Sequence, residues 1–240
     1  MSARPPREIP TDERLIVALD VPEAETAKRL VEQLGDSVRF YKIGLELAMS
    51  GEYFALLRWL IATDKRVFTD LKFYDIPATV ASAVRQLSDS GATFLTVHGD
   101  RSIMEAAAAA KSDDLRILAV TVLTSISQQD LESTGVKLPI AELVSLRARQ
   151  AIAAGCDGII ASGLEVERLR NELGPQPYIV TPGIRPQDAA RNDDQRRVVT
   201  AAQAFERGAD HIVVGRPIHA AENPLHAAQA IQAEIAAVFE

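Results

Sequence analysis

A closed (β/α)8 TIM barrel is the fold class this sequence predicts, on three observations. From Arg14 onward, short apolar runs alternate with helical patterns of about ten to eighteen residues, as repeated strand-helix units require. Eight such units fit between residues 14 and 240, the number that closes a barrel. Polar and ionisable residues recur at the carboxyl ends of the apolar runs, where parallel α/β folds gather their chemistry. A doubly wound open sheet is the alternative, because periodicity does not report closure.

Taken in order, residues 1–13, MSARPPREIPTDE, lack an apolar run and read as a flexible tail, leaving 14–240 as the barrel domain. The strands are expected at LIVALD (15–20), FYKIGL (40–45), VFTDLKF (67–73), FLTVHG (94–99), ILAVTVL (117–123), GIIASG (158–163), YIVTPG (178–183) and HIVVGR (211–216). Between them, Ala27, Leu30, Val31 and Leu34 fall on one helical stripe. So do Val80, Val84 and Leu87, and Ile140, Leu143, Val144 and Ala148. Gly35, Gly91, Gly155, Gly174 and Gly208 stand where helices commonly stop. The alanine run at 106–110 reads as helix, and Trp59 as helix core. Two longer polar connections, 125–138 and 185–197, follow strand ends and are placed to fold over a bound molecule.

A hydrophobic content of 47% is ample for one core, and a net charge of -7 argues against general affinity for nucleic acid or anionic membrane. Any anion site must therefore be a local pocket. The single cysteine, Cys156, excludes an internal disulfide and a cysteine-based metal site, and it reads as a packing residue in a reducing, cytoplasmic setting. No stretch reaches the roughly 18 apolar residues of a membrane span, and the start of the chain lacks the apolar core of a signal peptide. His211, His219 and His226 show no metal-ligand spacing.

The chemistry concentrates in RVFTDLKFYDIP (66–77). It starts as a strand, then places Asp70 and Lys72 two residues apart on one face, with Asp75 just past the strand end. A strand buried on both faces should be apolar throughout, so these charges require partners or a purpose. Asp20, Lys42, His98, Thr124 and Arg216 also lie at or near predicted strand ends, which in a closed barrel converge on one mouth. Lys42, Asp70, Lys72 and Asp75 alternate in sign. They suit either a network that holds Lys72 as an ammonium proton donor or a salt-bridge lattice closing the barrel. TPGIRP (181–186) and VVGRPI (213–218) end the last two strands, where barrels frequently bind phosphate and where Arg216 would add a bidentate contact. A glycine turn with a solvated arginine is the plainer reading of the same residues. His98 reads as a hydrogen-bonded strand-end histidine before it reads as an acid or base.

With these residues in view, the sequence resembles the orotidine 5'-phosphate decarboxylase family, which makes UMP in pyrimidine biosynthesis. DLKFYDIP looks like that family's D-x-K-x-x-D motif. It is joined in family order by IVALD, YKIG, VTVLTS, VTPGIRP, DDQRR and VVGRP, from about Leu15 to the last helix. The resemblance implies that Lys72 protonates C6 of the pyrimidine as carbon dioxide leaves, with Asp70 beside the substrate carboxylate. It implies that Asp20, Lys42 and Asp75 hold the ribose hydroxyls and the charge network, with Asp75 and Thr79 reaching into a neighbouring subunit's site. Thr124 would lie near the pyrimidine, and Arg185, Gln195, Gly215 and Arg216 near the phosphate. It further implies a homodimer and no metal or organic cofactor.

One departure stands out: many bacterial members carry a Gly-Gly pair after the fourth-strand histidine, where this chain has His98-Gly99-Asp100-Arg101-Ser102. Two other readings compete. Sugar-phosphate decarboxylases share D-x-K-x-x-D but bind magnesium and typically carry a glutamate where this chain has Lys42. A catalytically silent phosphate-ligand binding protein would have no need of Lys42, Asp70, Lys72 and Asp75 together.

Overall fold

The structure is a computed structural model that describes residues 8–185 and 198–239. In chain order its elements are β1 (Leu15–Ala18), α1 (Ala24–Leu34), β2 (Phe40–Gly44), α2 (Leu45–Ala48), α3 (Tyr53–Ala62), β3 (Arg66–Phe73), α4 (Pro77–Ser88), β4 (Phe94–Val97) and α5 (Arg101–Ala110). The second half follows with β5 (Arg116–Val120), α6 (Gln128–Ser133), α7 (Ile140–Ala153), β6 (Gly158–Ile160), α8 (Val166–Leu173), β7 (Tyr178–Thr181), α9 (Ala201–Glu206), β8 (His211–Val214), α10 (Arg216–His219) and α11 (Pro224–Phe239). The eight strands pair in sequence order, and β8 returns to β1 in parallel register, Leu15 opposite Ile212 and Val17 opposite Val214. The ladder is closed, which decides against the open sheet.

Every expected strand is present, and all but β3 end one to three residues before the apolar run does. Those trailing residues leave the ladder and turn into the loops of the barrel mouth. Alternation sorts the side chains between two cores. Ile16, Ala18, Phe40, Phe68, Phe94, Leu118, Val180 and Val213 face the interior, while Leu15, Val17, Tyr41, Ile43, Val67 and Leu95 pack outward under the helices. At the interior floor the Phe94 ring lies 5.2 Å from Phe40, 5.2 Å from Tyr178 and 5.3 Å from His211. Rings buried in this way contribute about 3–5 kcal/mol each when truncated to alanine. These rings fill the floor of the barrel, so the interior opens toward the carboxyl ends of the strands.

The predicted helical stripes are buried, Ala27, Leu30, Val31 and Leu34 on α1, Val80, Val84 and Leu87 on α4, and Leu143, Val144 and Ala148 on α7, except that Ile140 at the start of α7 is only half-buried. Cys156 is buried as well, and burial raises its thiol pKa to about 12, so it packs as an inert small side chain. Trp59 is half-buried instead of fully enclosed. Residues 11–13, expected in the flexible tail, form a 3-10 turn; the Glu13 carbonyl lies 3.0 Å from His211 Nδ1 and its carboxylate pairs with Arg66. Within 125–138 a six-residue helix, α6, starts at a Ser127–Asp130 capping box, so this connection is partly ordered by its own hydrogen bonds. No helix among the described residues is long and apolar enough to cross a membrane.

Candidate active site

The site is built on an irregularity in β3. Thr69 pairs with Leu95 and Phe73 with Val97, so β3 uses four residues where β4 uses two. The surplus falls on Asp70, Leu71 and Lys72, and Lys72 has a φ of 48°, a left-handed conformation rare for a side chain of its size. Leu71 and Phe73 pack outward, leaving Asp70 and Lys72 directed into the mouth, as alternation predicts. A bulge at a strand end re-aims side chains, and here it presents an acid and a base together.

Four alternating charges then form a row across three strands. Lys42 Nζ lies 2.8 Å from Asp20 Oδ1 and 3.5 Å from Asp70 Oδ2, and Lys72 Nζ lies 2.8 Å from Asp70 Oδ1. Lys42 is 8% exposed and sits at the middle of β2, a strand whose every residue is buried. Burial works against its charge, but Asp70 and Asp20 outweigh it and raise the ammonium above its usual range. Burial likewise works against the Asp70 carboxylate, and Lys42 and Lys72 overcome it, holding the group below its usual value. Both groups therefore stay ionised at neutral pH.

Glycine makes room for the row at one point. A Cβ on Gly44 would come 3.2 Å from Lys42 Nζ and 3.5 Å from Asp20 Oδ1. Gly99, in the loop that departs from the family pattern, has a φ of 107°, and a Cβ there would meet the Tyr74 ring at 2.2 Å. His98 beside it turns its ring edge-on to Tyr74 at 5.7 Å and does not line the mouth; burial and the nearby Arg147 and Lys72 lower its pKa.

Above the floor the mouth holds a cavity of about 560 Å³. It brings together Asp20, Lys42, Asp70, Lys72, Thr124, Arg185, Gly215 and Arg216, eight of the residues singled out in the sequence. One wall is apolar, with Phe68, Val120, Val122, Leu123 and Ile160, and lies next to Asp70 and Lys72. Arg185 and Arg216, after β7 and β8, also line the cavity. The cavity thus sets apolar side chains, the Asp70–Lys72 pair and two arginines around one space.

Asp75 and Thr79 stand apart from it. Both are exposed, on the β3–α4 connection and the first turn of α4, beside the exposed Tyr74 and Ile76. Gln195 lies outside the described residues. Three residues were not legible in the sequence. Gly44 acts only by leaving space. His219 lines the cavity near Asp20 and Arg216 from the fourth residue of a short helix, a position that no spacing rule selects. Thr96 is fully buried in β4; it accepts the Lys72 backbone N–H at 3.0 Å and donates to Asp70 Oδ1 at 2.8 Å. A lone threonine in a β-rich run carries no signal of that kind.

Residues 13–231 match the family described as orotidine 5'-phosphate decarboxylase / HUMPS. The chain is 58% identical over 231 residues to the orotidine 5'-phosphate decarboxylase of Methylococcus capsulatus, covering 96% of this chain and 95% of that protein. It is 54% identical over 235 residues to the enzyme of the same name from Xanthomonas campestris, covering 98% and 96% of the two chains. Among solved structures, orotidine 5'-phosphate decarboxylase from Lactobacillus acidophilus superposes with a TM-score of 0.81 at 37% identity, covering 93% of this chain and 99% of that one.

Proposed function

This chain belongs to the orotidine 5'-phosphate decarboxylase / HUMPS family, and from that premise we propose that it converts orotidine 5'-phosphate to UMP without a cofactor, Lys72 supplying the proton. The observation that carries this reading is the row Asp20, Lys42, Asp70, Lys72 at the cavity wall. The bond between C6 and the carboxylate breaks, its electron pair stays on C6, and carbon dioxide departs. The Lys72 ammonium stabilises the developing charge and transfers a proton to C6, and solvent reprotonates the amine as UMP leaves. Asp70 fixes the ammonium by a 2.8 Å contact and presents its own negative charge to the side where the substrate carboxylate enters.

The remaining residues provide binding. Arg185, Gly215 and Arg216, with Gln195, take the phosphate, Thr124 takes the pyrimidine edge, and Asp20 and Lys42 take the ribose hydroxyls. Phosphate contacts remote from C6 lower the barrier when they are used to hold the base in its reactive position. Lys42 also bears on the magnesium-dependent alternative. Its ammonium occupies the space between the Asp20 and Asp70 carboxylates, where a divalent cation bridging them would have to sit.

Asp75 and Thr79 serve a neighbouring subunit's site across a homodimer interface. Their exposure, and the apolar Tyr74 and Ile76 exposed beside them at 65% and 66%, support this placement. A cytoplasmic location accords with a single cysteine and no internal disulfide. The test is the absorbance change of orotidine 5'-phosphate on adding purified protein in EDTA. Conversion to UMP is expected. Retained UMP binding without conversion would point instead to a silent binding protein, and activity only with magnesium and sugar phosphates would point to the other branch of the family.

A further inference from the structure

We propose that Thr96 is a positioning residue for the decarboxylation, its single hydroxyl locking the Lys72 backbone to the Asp70 carboxylate; the proposal rests on the function assigned above. Thr96 Oγ1 accepts from Lys72 N–H at 3.0 Å and donates to Asp70 Oδ1 at 2.8 Å. Its residue is 0% exposed, so water does not substitute for it.

The need for such a lock follows from the β3 irregularity. Between the Thr69–Leu95 and Phe73–Val97 pairs the ladder to β4 is interrupted, so the amide of Lys72 has no strand partner there. A buried amide must find another acceptor, and the Thr96 side chain supplies it. The same contact holds Lys72 in its left-handed conformation, which persists only when its surroundings over-determine it. The hydroxyl has one proton to give, and with Lys72 N–H occupying one lone pair it directs that proton to Asp70. Asp70 Oδ1 thereby receives both Thr96 and the Lys72 ammonium, while Oδ2 faces Lys42 from β2 at 3.5 Å. One side chain from the neighbouring strand thus sets the geometry of both the acid and the base.

The experiment compares Thr96→Val, which keeps the shape and loses the hydroxyl, with Thr96→Ser, which keeps the hydroxyl. In Thr96→Val kcat should fall about 10- to 100-fold, the scale of one hydrogen bond to a charged group, while UMP affinity changes less than about threefold. Thr96→Ser should recover kcat to within about threefold. Independently of turnover, the Asp70 side-chain carbon followed by NMR should titrate at higher pH in Thr96→Val than in wild type or Thr96→Ser, since only Lys42 and Lys72 then oppose its protonation. Unchanged kcat and an unchanged Asp70 titration in Thr96→Val would overturn the proposal. So would a parallel loss of kcat, UMP affinity and thermal stability in both variants, the mark of a merely structural residue. If the wild type does not turn over orotidine 5'-phosphate, the function assigned above fails, while the Asp70 titration still decides the role of Thr96.

Discussion

Lys72 Nζ lies 2.8 Å from Asp70 Oδ1 although a single residue separates the two along β3. Both residues line the mouth at the β3 irregularity, where Lys72 has a φ of 48° and regular strand spacing does not hold. The row extends through Lys42 to Asp20, which leaves Lys72 at its end, with a side chain 31% exposed against 10% for Lys42.

That position makes Lys72→Ala the sharpest test of the chemistry. Turnover should fall by about 10³-fold or more, the upper range for losing a positioned general acid. UMP affinity should stay within about tenfold, because the phosphate and ribose contacts remain. Single-turnover kinetics and a UMP titration check the two halves, and near-normal turnover would remove Lys72 from its role.

Asp70→Asn tests the electrostatic side. Replacing the shared carboxylate leaves Lys42 and Lys72 facing each other with Asp20 as the remaining counterion, so the melting temperature at pH 7 should drop by on the order of 5 °C. The sign with pH follows from the direction of each shift. The Asp70 pKa is lowered on folding, so its contribution is present above its unfolded value, near 3.9, and is lost as pH falls through the lower folded value. The Lys42 pKa is raised, so its contribution is present below about 10.4 and is lost only as pH rises through the higher folded value. Calorimetry from pH 3 to 8 should show the gap between wild type and variant constant above about pH 5 and narrowing below about pH 4. A gap that widens in acid would contradict the assignment of the Asp70 charge.

Arg216→Ala separates binding from chemistry. Loss of a charge-assisted phosphate contact should raise KM for orotidine 5'-phosphate by roughly 10- to 100-fold and weaken UMP binding in proportion. Uridine, which lacks the phosphate, should bind the variant and the wild type alike. An unchanged KM would move the phosphate away from the end of β8.

The barrel was legible because its signals are local and repeated: apolar runs of strand length, stripes at helical spacing, and glycines where helices stop. Lys42, Asp70 and Lys72 were legible because charges inside apolar runs break a pattern. Thr96, Gly44 and His219 break none. A threonine belongs in a strand, a glycine acts here through the room it leaves for Lys42 Nζ, and His219 reaches the cavity only through the turn of a four-residue helix. The β3 irregularity was hidden for a related reason, since it depends on how many residues β4 places opposite, a relation between two segments far apart in sequence. The alternation rule still placed Asp70 and Lys72 on one face, because the surplus residues kept their inward and outward order.

Asp75 is where one chain and a pair of chains give different predictions. It is exposed and does not line the cavity of its own barrel, and its Oδ1 accepts the Ile76 N–H at 2.6 Å, which fixes the carboxylate at the start of α4. In the proposed two-fold dimer the same surface would serve both partners, so two shared sites would form, each with Lys72 from one subunit and Asp75 from the other. Lys72→Ala and Asp75→Asn homodimers should each be nearly inactive. Mixed and reassembled in equal amounts, half of the dimers are hybrids, and in each hybrid one site combines the two mutated residues while the other regains both native ones. About a quarter of wild-type activity should therefore return, with native KM, if assembly is random and isologous. Unfolding and refolding the mixture, then assaying against the unmixed variants, gives the answer directly. No recovery, with hybrids verified by mass, would place Asp75 in its own subunit's site and remove the reason for sharing.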